Sequence, residues 1–222
     1  MNYLFESEVA LMDTMGDDLT VVNAARVSFD KKSKWKYDED LKFLDSKDEK
    51  LINYLAKHGH WTPFGHIMAQ FQIKAPVYVA RQLVKHQVGL VWNEVSRRYV
   101  DSEPEFFLPV WREKAENKKQ GSGGDMNNQL QLNTIFEATM QESLHAYKTL
   151  LGFGVSPEQA RMVLPLNHAT EWYWSGSVAA FARVCKLRLD PNTQQETRDV
   201  AVMIDRALSA HFPVSWSALT KE

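Results

Sequence analysis

Apolar and polar residues alternate through "HIMAQFQIKA" (66–75), the rhythm of a strand with one buried face. Pro76 then opens "PVYVARQLVKHQ" (76–87), with Val77, Ala80 and Val84 on one side, which predicts a helix with proline in its first turn. Helical spacing returns over 46–60: Leu51, Tyr54 and Leu55 form the apolar face, Ser46 and Glu49 read as a capping box, and Gly59 reads as the stop. Residues 17–29 begin with acids and read as a short helix that turns near Asp30. Residues 2–12, 96–101 ("SRRYVD") and the aromatic 170–177 ("TEWYWSGS") read as strands.

The C-terminal half follows the helical period. Leu132, Ile135, Phe136, Met140, Leu144 and Tyr147 predict a helix over 129–151. "SPEQARMVL" (156–164) offers Ser156 as N-cap and Pro157 as first helical residue. Further helices are expected over 178–189 and 193–212, the latter with Thr193 and Glu196 as a capping box. A charge-rich loop (30–40) and a flexible, low-complexity loop (111–129) interrupt the pattern, and there is no internal repeat. The sum is a single α+β domain over 1–222, with a mixed or antiparallel sheet and a helical majority.

Composition narrows the partners. The 222 residues are 44% hydrophobic and 24% charged, with 26 basic against 28 acidic side chains. A net charge of −2 argues against binding nucleic acid or an anionic membrane through bulk charge, but leaves room for one focused anion site. The lone Cys185 excludes an intrachain disulfide and a Cys-rich zinc site. No basic leader and no run of about 18 apolar residues occurs, so a reducing, cytoplasmic setting is expected.

Three clusters could carry chemistry. Lys85, Arg97, Arg98, Arg161 and Arg188 sit at element ends, where guanidinium forks suit a phosphate or the imide edge of a pyrimidine. Beside them, Glu94 can accept from a ribose hydroxyl while Ser96 donates to a phosphate, a nucleotide-shaped set of groups. His58, His60 and His66 could serve a metal-dependent nucleotide hydrolase, although Gly59 keeps the first two off a common helical face. The Arg cluster alone would also suit a non-catalytic nucleotide-binding module. Cys185 has Arg183, Lys186 and Arg188 nearby in sequence, which would activate a thiol, but a small buried apolar residue is the blander reading. No phosphate-binding glycine motif or nucleophile elbow is present.

"RQLVKHQVGLVWNEVSRRY" (81–99) resembles the signature of the flavin-dependent thymidylate synthases, the ThyX family. "NAARVSF" (23–29), "LAKHGHWTPFGH" (55–66), "KAPVYVARQ" (74–82), "GVSPEQARMVLPLN" (154–167) and "LRLD" (187–190) also resemble family segments, in family order. The resemblance implies a ThyX-like fold and reductive methylation of dUMP to dTMP. Methylenetetrahydrofolate would supply the carbon, and FAD reduced by NADPH the hydride. It implies homotetramers with active sites between subunits. It assigns dUMP to Gln82, Lys85, Glu94, Ser96, Arg97, Arg98, Arg161 and Arg188, with Arg188 polarising the uracil. It assigns FAD to Ser28, His60, Thr62, Lys85, His86, Gln87, Asn93, Glu94, Ser177 and Arg183, and no residue to a metal.

The chain also departs from the family. Lys85-His86-Gln87 stands for the usual Arg-His-Arg, and eight residues rather than seven separate Gln87 from Ser96. Ser177 and Ala179 stand where Asn and Arg are frequent, Arg183 where Asn is common, and Asn192 where His is common. The segment 85–99 is therefore expected to face flavin with its front end and nucleotide with its back end. Its apolar middle is expected to be buried, with the additional residue forming a bulge near Val88–Val91.

Overall fold

A computed structural model describes residues 2–39, 41–116 and 121–221. In chain order the elements begin β1 (Asn2–Leu4), β2 (Glu8–Met15), α1 (Asp18–Arg26), β3 (Lys36–Asp38), β4 (Leu41–Phe43) and α2 (Ser46–Lys57). They continue with β5 (Met68–Pro76), α3 (Val77–Leu83), β6 (Leu90–Glu94), β7 (Glu105–Phe107), β8 (Arg112–Lys114) and β9 (Ser122–Asp125). Then follow α4 (Gln129–Gly152), α5 (Pro157–Ala160), β10 (Ala169–Ser177), α6 (Val178–Arg188), α7 (Gln195–His211) and α8 (Pro213–Thr220). The architecture is α+β, and helices hold more of the chain than strands.

The central sheet is antiparallel, in the order β2-β5-β10-β6. Alternation in β5 buries Ala69, Phe71, Ile73 and Ala75 and turns Gln70, Gln72 and Lys74 to the other face. β10 buries Trp172 and Trp174 on the same side. Against them α6 contributes Phe181, whose ring meets Phe71 edge-on at 5.1 Å and Trp174 at 5.2 Å. Trp92 of the edge strand β6 stacks on Trp172 at 4.4 Å, which fixes β6 to the core. One long-range cap ties the two termini together. Buried Asp18 accepts from the N–H groups of Val214 (3.0 Å) and Ser215 (2.8 Å) at the start of α8.

Several expectations are corrected. The single strand over 2–12 is two: β1 pairs in parallel with β7, and β2 joins the central sheet. The N-cap of α2 is Asp45, whose carboxylate accepts from Lys47 N (2.9 Å), so the acid one residue earlier displaces Ser46. Gln194 precedes α7, while the Thr193 hydroxyl donates to Leu187 O (3.2 Å) instead of capping. The charged loop over 30–40 holds β3, which pairs with β4. The loop over 111–129 holds the β8–β9 pair, pinned where Arg112 meets Ser122 Oγ (2.8 Å) and the buried Glu196. The parts of those loop expectations at residues 40 and 117–120 lie outside the described residues. Residues 96–101 form turns, not a strand: the pairing with β10 ends at Glu94, and Tyr99 N donates to Ser96 O (3.0 Å). Among the described residues no helix is long and apolar enough to cross a membrane.

Candidate active site

α3 ends at Leu83, and the next residues turn back toward α6. His86 N donates to Leu83 O (3.0 Å), which presents its ring to the last residue of α6. There Arg188 Nε donates to His86 Nε2 (3.0 Å), and Arg188 Nη2 donates to Gln82 O (3.2 Å). Gln82 Nε2 in turn donates to Gln194 Oε1 (2.6 Å). Arg188, Gln82, Gln194, Lys186 and Asp190 border a cavity of about 620 Å³. Burial lowers the Arg188 pKa from its ordinary value. Burial first, then the charges of Arg188 and Arg183, hold His86 below the usual imidazole value.

The turn Gln87–Leu90 lies in the stretch where the additional residue is expected. Leu90 N donates to Gln87 O (3.2 Å), and Gly89 has φ +77, a conformation that favours glycine. Its carbonyl would lie 2.2 Å from a Cβ at position 176, so Gly176 is required for this approach. Arg183 Nη2 donates to Val88 O (2.7 Å) and Nη1 to Ala179 O (3.3 Å), clamping the turn onto the first half of α6. The expectation of a buried apolar middle is corrected: Val88 is 80% exposed in the turn before β6, Val91 is 66% exposed on the outer face of β6, and alternation turns only Leu90 and Trp92 inward.

A second group lies at the far end of β6. Glu94 Oε1 accepts from Thr170 Oγ1 (2.8 Å) and Oε2 from Trp92 Nε1 (3.1 Å). Arg98 Nε donates to Ser96 Oγ (3.1 Å), and its guanidinium lies over the Tyr99 ring at 4.9 Å. His168, bonded through Nδ1 to Pro165 O (2.7 Å), has a lowered pKa. Burial is the main cause, and Arg97 and Arg161 add to it while Glu94 opposes. Arg97, Arg161 and Glu94 thus share one electrostatic neighbourhood. Among the described residues, none of Glu94, Ser96, Arg97, Arg98 or Arg161 lines the Arg188 cavity. The expected nucleotide groups therefore do not all border one cavity of this chain.

The residues expected for flavin are spread more widely. Ser28 is exposed in the turn after α1, and Asn93 is exposed on β6. Lys85 and Gln87 are exposed beside His86. Ser177 caps α6 by accepting from Ala180 N (3.2 Å). His60 and Thr62 follow α2, where the rings of His58 and His60 lie 6.5 Å apart and both contact Tyr54. No group of three or more His, Cys, Asp or Glu side chains converges as a metal site among the described residues.

The nearby cleft, about 750 Å³, was not apparent from the sequence. Its lining includes Ala179, Ala182 and Trp61, and Lys57, Arg183, Lys186 and Lys221 border it; among the described residues no carboxylate lines it. Lys186 borders both this cleft and the Arg188 cavity, so the two adjoin along α6. A dinucleotide with a diphosphate and flat rings fits that donor set: cations for the phosphates, an indole for a ring. These lysines were missed because they come from the ends of three helices distant in sequence. Cys185 resolves in favour of the apolar reading. It is fully buried, its Sγ contacts Ala201 O (3.7 Å), and burial, aided by Asp205, pushes its pKa well up.

A family profile described as "Thymidylate synthase complementing protein" matches residues 10–214. The chain belongs to this family. It is 40% identical over 211 residues to a flavin-dependent thymidylate synthase of Thermus thermophilus, covering 95% of this chain and 74% of that protein. It is 37% identical over 215 residues to a protein of the same description from Thermosipho africanus, covering 95% and 90%. Among solved structures, it is similar to a UMP/dUMP methylase, PolB, from Streptomyces cacaoi bound with 5-Br dUMP. That match has a TM-score of 0.86 at 26% identity and covers 99% of this chain and 97% of that one. The shared family covers both the Arg188 cavity and the Glu94–Arg98 group.

Proposed function

We propose that this protein is a flavin-dependent thymidylate synthase. It methylates dUMP to dTMP, with methylenetetrahydrofolate as carbon donor and FAD, reduced by NADPH, as hydride source. The observation that carries the reading is Arg188. Its half-buried guanidinium is held by two neutral acceptors at a cavity large enough for a pyrimidine, and no ion pair neutralises it among the described residues. A cation fixed in this way stabilises the imide or oxyanion charge that develops on uracil. The family membership and the dUMP-analogue complex of the PolB relative support the same substrate.

Gln82 borders the cavity with an amide that can meet the pyrimidine edge, and Lys85 follows on the same turn. Ser96, Arg97, Arg98 and Arg161 supply donors for the phosphate, and Glu94 accepts from the ribose hydroxyl. Bound flavin supplies the hydride. The protein's residues hold it: Arg183 and Lys186, joined by Lys57 and Lys221, face its phosphates and offset the missing cation at Ala179. Ser28, His60, Thr62, His86, Gln87, Asn93 and Ser177 complete the assigned contacts. Because the phosphate group and the uracil cavity lie apart in one chain, each complete site combines residues of different subunits, in keeping with a homotetramer.

The test is anaerobic turnover. Purified protein loaded with FAD should form dTMP from dUMP, methylenetetrahydrofolate and NADPH, with NADPH bleaching the flavin band. Flavin-loaded protein that binds dUMP but yields no dTMP would overturn the assignment.

A further inference from the structure

The bond between Arg188 and His86 has a consequence of its own, which rests on the thymidylate synthase reading. Arg188 presents five N–H donors, and two are engaged by His86 Nε2 and Gln82 O. Both acceptors are uncharged. A carboxylate in the place of His86 would orient the guanidinium equally well but would cancel most of its charge. A neutral imidazole orients it and leaves the charge for the ligand. Asp190 borders the same cavity, yet among the described residues it makes no ion pair with Arg188.

The imidazole is itself held in place. Its main-chain N–H is bonded to Leu83 O (3.0 Å), and the turn that follows is clamped by Arg183 on Val88 O (2.7 Å). For Nε2 to accept from Arg188 the ring must be neutral with its proton on Nδ1. The charges that bear on the ring are both cations of α6, Arg188 and Arg183, and with burial they favour that neutral form.

We infer that His86 is a positioning residue for Arg188: a neutral imidazole that aims the guanidinium at the pyrimidine without neutralising it. Protonation of His86 removes the acceptor and sets two cations against each other, so turnover falls as pH drops through the depressed pKa of His86.

The experiment is a double-mutant cycle in flavin-loaded enzyme with His86→Ala, Arg188→Ala and the combined variant, together with His86→Gln. The Gln oxygen accepts but cannot titrate. His86→Ala should lower kcat by about 10–100-fold in wild type and by less than about 3-fold when Arg188 is already absent. His86→Gln should recover turnover to within about 10-fold of wild type and lose the acid limb of the pH profile. FAD affinity, read by flavin fluorescence, is followed in each variant, because His86 is also assigned to the flavin, and kcat is read at saturating FAD.

Equal loss from His86→Ala with and without Arg188, or an acid limb retained in His86→Gln, would overturn the inference. So would a fall in FAD affinity that accounts for the whole defect, since the ring would then act on the flavin. The same cycle read as calorimetric dUMP affinity requires no turnover. A missing dTMP product therefore refutes the activity, whereas additivity in dUMP binding refutes only the role of His86.

Discussion

The two ends of the segment 85–99 are built differently. The front end is wired to α6 by long-range bonds: His86 to Arg188, and Val88 O to Arg183. The back end is held mostly by itself, through Arg98 to Ser96 and Tyr99 N to Ser96 O. Among the described residues only Glu94, through Thr170, reaches another element by a side-chain bond. The front end is thus preorganised within one chain, which suits its proposed task of aiming charge at a reacting ring. The proposed task of the back end, binding a phosphate, tolerates looser geometry because the oxygens are alike on every side.

The largest predicted effect tests the front end. Arg188→Ala should reduce kcat by about 100–1,000-fold, with a smaller change in dUMP affinity, if the guanidinium stabilises charge that develops during reaction. Arg188→Lys should recover little, because a single ammonium nitrogen lacks the planar fork that spans His86 and Gln82 O while facing the ligand. Steady-state kinetics checks both, and normal turnover in Arg188→Ala would erase the distinction between the two ends. Next, Arg98→Ala should act on binding: a charge-assisted phosphate bond worth about 1.5–3 kcal/mol gives a KM for dUMP raised by about 10–100-fold, with kcat little changed. A loss confined to kcat would place Arg98 with Arg188.

Acid titration should touch both ends. His86 and His168 are each held below the usual imidazole pKa, chiefly by burial. A folded pKa below the unfolded one means these residues contribute stability that is complete above about pH 6.5 and is lost as pH falls through their folded values. Melting temperature should therefore drop as pH falls below about 6.5, with a shallower slope in His168→Gln. An unchanged slope in that variant would remove His168 from the account. The smallest effect serves as a control on the same helix. Cys185 lies one turn before Arg188 but faces the core, so Cys185→Ala should cost about 1 kcal/mol of stability and leave kcat intact. Loss of turnover with the fold preserved would reopen the thiol-nucleophile reading.

Much of the fold was legible. β5, β10, α4 and α6 follow from alternation and helical spacing, because one face of each packs on the core. The stop after α2 follows from Gly59, whose φ of +69 disfavours other residues. Residues 96–101 misled because Tyr99, Val100 and the arginines suit a strand, yet no strand is there to pair with them. The apolar run Val88–Trp92 misled because Val88 sits in a turn and alternation along β6 turns Val91 to the uncovered face of the sheet. In the candidate site, Arg188, Glu94, Ser96 and Arg98 stood out by their chemistry, and Gln82 only through the family resemblance. The cleft bordered by Lys57, Lys186 and Lys221 did not, since no local pattern joins the ends of α2, α6 and α8.

By itself the sequence determined the family, the inventory of donors and acceptors, and the elements whose patterning is local. The tertiary structure decided which of those groups meet. His86 and Arg188 are far apart in the chain, and only the meeting of the C-terminal ends of α3 and α6 makes the ring an acceptor for the guanidinium. It also kept the phosphate-suited arginines away from that cavity within one chain. Residue type and local period encode what a side chain can do. Its partner, its burial and hence its charge state depend on contacts between segments that no local pattern records.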